Sequence, residues 1–325
     1  MQTFSADELE AAQRTVYAAM PPTPQYAWPL LGERLGAEDW VKHENHTPLG
    51  AFKVRGGLVY LQGLVEREPA CRGVISATRG NHGQSIAFAA KRHGLSATIV
   101  VPHGNSVEKN AAMRALGAEL VEHGSDFQQA REHAAALAHE RGLHFVPSFH
   151  RDLVRGVASY WIEFFRAVQP AVVFVPIGQG SGICACIAAR AYTGVATRIV
   201  GVVSAHATAY LDSFRAGRCT EAPVTTRLAD GMACRVPDAE PLALIQRGVD
   251  EVIAVTDDEV AAAMRAMFSD THNAAEGAGA ASLAAALQQR EHWRGRTVGI
   301  TLCGGNVDRT MFARVLAGGE GKGWR

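Results

Sequence analysis

The sequence lacks net charge: 32 Lys and Arg balance 32 Asp and Glu over 325 residues. No five or six basic residues cluster, so a phosphate backbone or an anionic membrane finds no footprint, and nucleic acid is not an expected partner. Long apolar runs are missing too, since none reaches the roughly 18 residues that span a bilayer. The start, "MQTFSADELEAAQRT", is polar and acidic without a signal-peptide apolar region, which predicts a cytoplasmic protein. Cysteine is sparse, and its six positions (71, 184, 186, 219, 234 and 303) are scattered as free thiols in a reducing compartment would be, not as a disulfide framework. Cys184 and Cys186 stand two apart on an expected helix and point to different faces, and the 13 histidines form no H-E-x-x-H or similar pair, so no metal site is expected. Repeats, low-complexity tracts and Pro-rich linkers are absent.

What is there, from residue 72 onward, is alternation. Short β-branched runs ("GVISA", "ATIVVP", "AELVEH", "HFVPS", "AVVFVPIG", "RIVGVVSA", "DEVIAV", "TVGITLCGG") separate amphipathic, alanine-rich stretches such as "GNHGQSIAFAAKRHG", "SVEKNAAMRALG" and "SGICACIAARAYTG". This pattern predicts an α/β fold of βαβ units on buried parallel sheets. So many units exceed one compact sheet, and "PSFHRDLVRG" (147–156) reads as a connection. The expected division is a large lobe of residues 1–58 and 151–325 with a small lobe, 59–150, inserted.

Ligands gather where parallel strands end and helices begin, because unpaired backbone N–H groups and the helix dipole collect there. Three such loops are unusual: "ATRGNHGQ" (77–84), "PIGQGSGICA" (176–185) and "TLCGGNVD" (301–308). In "GQGSG" the small residues let backbone amides wrap an anion, and a phosphate is the obvious guest. A dinucleotide would need an acid at the end of the next strand, but "RIVGVVSA" ends on Ser204 and Ala205. A small phosphorylated cofactor is therefore expected, and Lys53 in "GAFKVRGG" gains a meaning: a lysine beside a phosphate cradle and an aromatic suits a Schiff-base aldehyde such as pyridoxal phosphate. The flanking glycines read as room for backbone to approach a ring.

Five motifs in order resemble those of the fold type II, tryptophan synthase β-like pyridoxal phosphate enzymes, the group of the threonine/serine dehydratases and serine racemase: "GAFKVRGG", "SATRGNHGQ", "GQGSG", "EGAGAAS" and "CGGNVD". The resemblance implies two parallel-sheet lobes, a homodimer or homotetramer, and pyridoxal 5'-phosphate as cofactor. It implies that Lys53 forms the Schiff base, that Phe52 neighbours the ring and that Asn81 meets the ring hydroxyl. Gly178, Gln179, Gly180, Ser181 and Gly182 would hold the phosphate, and Cys303 would face the pyridine nitrogen. A thiol there cannot force a proton onto that nitrogen as an aspartate would, which favours prompt β-elimination over transamination. Lys53, once released by the substrate amine, would take the α-proton, its reference pKa of about 10.4 lowered by desolvation. Glu276 would lie near the cofactor as an acceptor, or simply serve as a helix N-terminal acid.

Two departures shape the activity. Where racemase-like members carry a serine before "GNHG", this chain has Arg79, which cannot readily act as a second base. Arg79 could instead clamp the substrate, with Thr78, Gly80, Asn81 and His82 as the other substrate-binding candidates; His82 itself reads as structural. Where those members place two metal-binding acids, this chain has Ser204 and Tyr210, so no divalent site is expected there. The expected reaction is dehydration of a β-hydroxy-α-amino acid to a 2-oxo acid and ammonia. The resemblance makes threonine and serine the default substrates, and Arg79 opens the alternative of a bulky one, L-threo-3-phenylserine ahead of a 3-hydroxyaspartate. The alternatives are a racemase or β-replacement enzyme of the same fold, and a non-catalytic cofactor-binding or regulatory protein. The chain stops at Arg325, which leaves no room for the regulatory domain of biosynthetic threonine dehydratases and suggests a catabolic role without isoleucine feedback.

Overall fold

Parallel pairing dominates the protein, a computed structural model that describes residues 4–318. Its strands are β1 (Gln25–Tyr26), β2 (Glu38–His43), β3 (Gly73–Ala77), β4 (Ser96–Val101), β5 (Glu119–Glu122), β6 (His144–Phe145), β7 (Val172–Pro176), β8 (Arg198–Ser204), β9 (Glu251–Val255) and β10 (Thr297–Leu302). They form one sheet ordered β1-β2-β10-β7-β8-β9 and a second ordered β5-β4-β3-β6. Among the described strands only β1, which pairs antiparallel with β2, departs from parallel pairing. Both faces of the sheets are covered by helices, which is why β3 and β7 read as nearly unbroken apolar runs.

Every strand run read from the sequence is a strand, although "HFVPS" is paired only at His144–Phe145. β2 escapes a periodicity reading because Asp39 and Lys42 interrupt "EDWVKH". Lys42 is nevertheless fully buried, since its ammonium meets Glu163 at 2.6 Å and the carbonyl of Thr23 at 2.6 Å. The same network holds Arg55, whose guanidinium reaches Glu44 at 2.7 Å and Glu163 at 2.6 Å. A buried ionic cluster thus fastens β2 and two helices just behind Lys53.

Two expectations are corrected. "PSFHRDLVRG" is not a connection beyond its first residues, because Arg151–Ala167 is a 17-residue helix with a strongly apolar face carrying Trp161, Phe164 and Phe165. Nor do the glycines after Lys53 make room for a ring. Lys53–Arg67 is a helix, continuous through residue 58, and a Cβ on Gly56 would meet the backbone of Leu153, while one on Gly57 would meet Ser85. Those glycines let three helices pack at close range, and only Gly50, at φ 67°, serves a turn.

Candidate active site

The loops leaving β3, β7 and β10 at their carboxyl ends converge between the two sheets. The helix Ser181–Thr193 starts at Gly180, whose φ of 95° suits glycine alone. Gly178 has no space for a side chain, since a Cβ would meet the carbonyl oxygen of Gly231. A Cβ on Gly182 would touch the Phe52 ring at 3.6 Å. The result is an open cradle of first-turn amides at a helix N-terminus, a geometry that binds phosphate.

Lys53 begins its own helix and donates to the Ser181 hydroxyl at 2.7 Å, with its amine 4.8 Å from the centre of the Phe52 ring. The Phe52 amide is tied to the Cys303 carbonyl at 3.0 Å, which joins the lysine segment to the end of β10. Burial lowers the Lys53 amine to about 8, against a smaller opposing effect of Cys303. Burial raises the Cys303 thiol well above its ordinary value, so it stays protonated and donates weakly to the Ala278 carbonyl at 3.5 Å.

The candidate cofactor- and substrate-binding residues all line one cavity, including Thr78, Arg79, Gly80, His82 and Gln179. Two candidates for substrate contact are already engaged with each other. The Thr78 hydroxyl accepts from the amides of Gly80 at 2.9 Å and Gly83 at 3.2 Å, where it braces the turn into helix Asn81–Arg92. The amides of Asn81 and His82, first in that helix, have no carbonyl one turn earlier to bond. His82 is held neutral, its pKa pushed down to about 3 by burial and by Lys53.

Glu276 precedes helix Gly277–Gln288 but makes no capping bond with its side chain. It turns into the cavity, where its carboxylate accepts from Asn81 Nδ2 at 2.6 Å and lies 3.0 Å from Lys109 Nζ. Burial raises the Glu276 carboxyl in spite of Lys109. Lys109 and Asp230, paired at 2.8 Å, also line the cavity and were not read from the sequence. A lone lysine in "SVEKNAAMRALG" looks like a solvated helix face, and only the tertiary fold buries it.

Among the described residues, four buried polar atoms of this cavity's lining have no hydrogen-bond partner: Arg79 Nε, His82 Nε2, Gln179 Oε1 and Glu276 Oε2, the last of which still has the Lys109 ammonium 3.0 Å away as an ionic neighbour. Buried polar groups are normally satisfied, so these mark a place shaped for a polar guest. The cradle, a lysine near neutrality and a protonated thiol fit pyridoxal phosphate. Ser204 is occupied with the amide of His206 at 3.1 Å, and Tyr210 donates to the Gln179 carbonyl at 3.4 Å. Among the described residues no group of three or more His, Cys, Asp or Glu is placed to hold a metal, and no helix is long and apolar enough to cross a membrane.

A family model described as "Pyridoxal-phosphate dependent enzyme" matches residues 16–304. The L-threonine ammonia-lyase of Geobacter sulfurreducens is 37% identical over 89% of this chain and 72% of its own length. The L-threo-3-hydroxyaspartate ammonia-lyase of Saccharomyces cerevisiae is 30% identical over 97% of this chain and 96% of its own. The structure of processed threonine deaminase isoform 2 from Solanum lycopersicum superposes with a TM-score of 0.87 at 27% identity, covering 97% of this chain and 94% of that one.

Proposed function

The chain belongs to the pyridoxal-phosphate dependent enzymes, in the fold type II threonine dehydratase group, and we propose that it dehydrates a β-hydroxy-α-amino acid larger than threonine. The observation that carries this reading is the Lys53 amine, held near neutrality at the mouth of the glycine cradle, in one cavity with an un-ionised thiol.

The bound cofactor supplies an electron sink for bond breaking at the substrate α-carbon. Lys53 anchors it and, when free, takes the Cα proton on Nζ, which a pKa of about 8 equips it to do near neutral pH. The amides from Gly178 to Gly182 and the Ser181 hydroxyl would hold the phosphate, and Asn81 would meet the ring hydroxyl. The Cys303 thiol would face the ring nitrogen and offer it no strong acid, which would favour early loss of the β-hydroxyl, leaving as water with the proton that Lys53 took from Cα. Hydrolysis of the product imine then yields a 2-oxo acid and ammonia. Arg79 in the place of a serine leaves the opposite face of the substrate without a base, so elimination rather than racemisation is the outcome.

Support for a larger substrate comes from Arg79, Phe127 and Gln179, which line both the main cavity and an adjoining one that also holds Arg235. An aryl group on Cβ, as in L-threo-3-phenylserine, would rest between Phe127 and the Arg79 guanidinium. A 3-hydroxyaspartate is the second reading, because the unpartnered Arg79 Nε could receive a second carboxylate. The lobes of this reading are residues 1–58 with 151–325, and residues 59–150, in a cytoplasmic homodimer or homotetramer.

Incubation with L-threonine, L-serine, L-threo-3-phenylserine and 3-hydroxyaspartate, with 2-oxo acid and ammonia measured, is the test. Phenylserine should give the highest kcat/KM, and release of D-amino acid without 2-oxo acid would defeat the lyase reading.

A further inference from the structure

Lys109 is a buried cation that the mechanism above does not use. Its helix, Val107–Ala115, follows β4 of the four-stranded sheet, yet its two ionic partners belong to segments packed with the six-stranded sheet: Asp230 at 2.8 Å and Glu276 at 3.0 Å. Its side chain lies against Gly80, where φ is 153° and a Cβ would collide with the lysine methylenes. The other end of the contact is built too. Asp308, in the loop after β10, accepts from the Ser106 hydroxyl and from the amides of Val107 at 3.2 Å and Glu108 at 3.4 Å. Asp308 therefore caps the start of the Lys109 helix from the opposite sheet, while Lys109 grips that sheet from the far side of the same turn.

The consequence reaches Asn81. Its Nδ2 is committed to Glu276 Oε1 at 2.6 Å, and its Oδ1 accepts from Asn306 Nδ2 at 2.9 Å. Both partners come from the six-stranded side, so the Asn81 amide is oriented only while the two sheets are held together. A buried carboxylate without a counter-charge is costly, and Lys109 supplies the charge that keeps Glu276 an acceptor at that place.

We infer that Lys109 is a positioning residue: by bridging Asp230 and Glu276 across the cleft it fixes Glu276, and through it the Asn81 amide that faces the cofactor ring. The inference rests on the proposed reading of the site. The two carboxylates, the lysine and the asparagine form one relay from the small-sheet helix toward the ring, so the contact between the two sheets and the orientation of Asn81 are set together.

The test is Lys109→Met in the holoenzyme, read by kcat, KM and the visible absorption of the bound cofactor. The expected result is a kcat lowered about 10- to 100-fold with KM changed less than about threefold, because alignment and not substrate capture is lost. The absorption maximum should also shift, since the ring hydroxyl loses its oriented partner. A folded Lys109→Met enzyme with wild-type kcat and an unshifted absorption maximum overturns the inference. Should that variant fail to fold, Lys109→Met/Glu276→Gln, which leaves no Glu276 charge uncompensated, is read in its place with the same expected losses and the same overturning result. The absorption is measured without turnover. A protein that binds cofactor but shows no lyase activity would defeat the functional reading and leave the spectrum to judge Lys109.

Discussion

Lys53 Nζ rests 2.7 Å from Ser181 Oγ, across 128 positions of chain. The amine assigned to proton transfer therefore sits at the helix start that forms the phosphate cradle, and one hydroxyl is shared between them. Anchor and cradle are a single construction, and substitutions in either should be felt in both.

Replacing Lys53 with Ala removes anchor and base together. Release of 2-oxo acid should fall by about 10³-fold or more, the upper range for loss of a positioned proton-transfer group.

The lysine also leaves a mark on stability in the cofactor-free protein. Its folded pKa of about 8 lies below the unfolded value of about 10.4. Below about 8 both states carry the proton and the burial penalty is felt in full. Between the two values the unfolded chain holds the extra proton, so stability rises with pH across that window. Because the residue is only half-buried, the gain should be discounted to about 1–2 kcal/mol. Urea unfolding of wild type and Lys53→Met at about pH 7.5 and about pH 10 should show the difference moving in favour of wild type by that amount. A pH-independent difference would contradict the buried-amine argument.

Arg55 is fully buried between Glu44 and Glu163. Arg55→Met would strip Glu44 of its cation and leave Glu163 with Lys42 alone, and it should cost about 3–5 kcal/mol, visible as a lowered urea midpoint. Arg55→Lys should recover little, since an ammonium cannot reproduce the forked contacts. The Glu163 carboxyl is held below its ordinary pKa by Arg55 and Lys42, which more than offset its burial. Its contribution is present above the unfolded value of about 4.3 and fades as pH falls below it, so acid should narrow the gap between wild type and Arg55→Met.

Gly178→Ala places a methyl group against the Gly231 carbonyl, a backbone atom with little freedom to yield. Stability should drop by about 1–3 kcal/mol, and cofactor affinity should weaken as the cradle shifts. Thermal unfolding and a fluorescence titration with pyridoxal phosphate report the two effects separately.

Arg79→Ala should distinguish substrates. On the best large substrate, kcat/KM should fall about 10- to 100-fold, the worth of a charge-assisted or stacked contact of about 1.4–2.7 kcal/mol. On L-serine the change should stay within about threefold. Equal losses on both would show that Arg79 holds the common amino-acid frame and not the Cβ substituent.

The sequence by itself determined the alternation of strands and helices, the three ligand loops and the lysine. These are local properties: a β-branched run buried on both faces, a positive φ that needs Gly180, a helix start that leaves amides open. Local reasoning fails where distant segments meet. β2 carries Lys42 inside a sheet because Glu163, far along the chain, neutralises it, and Asp39 because it accepts from the Trp28 amide at 3.3 Å. The helix from Lys53 carries three glycines that helix propensity counts against it, and two of them, Gly56 and Gly57, are required by close packing with Leu153 and Ser85. Lys109 and Asp230 look like ordinary surface charges in one dimension. Only the tertiary structure buries Lys109 beside Glu276, with the partly exposed Asp230 against it, so that the carboxylates make up for the solvation the lysine has lost.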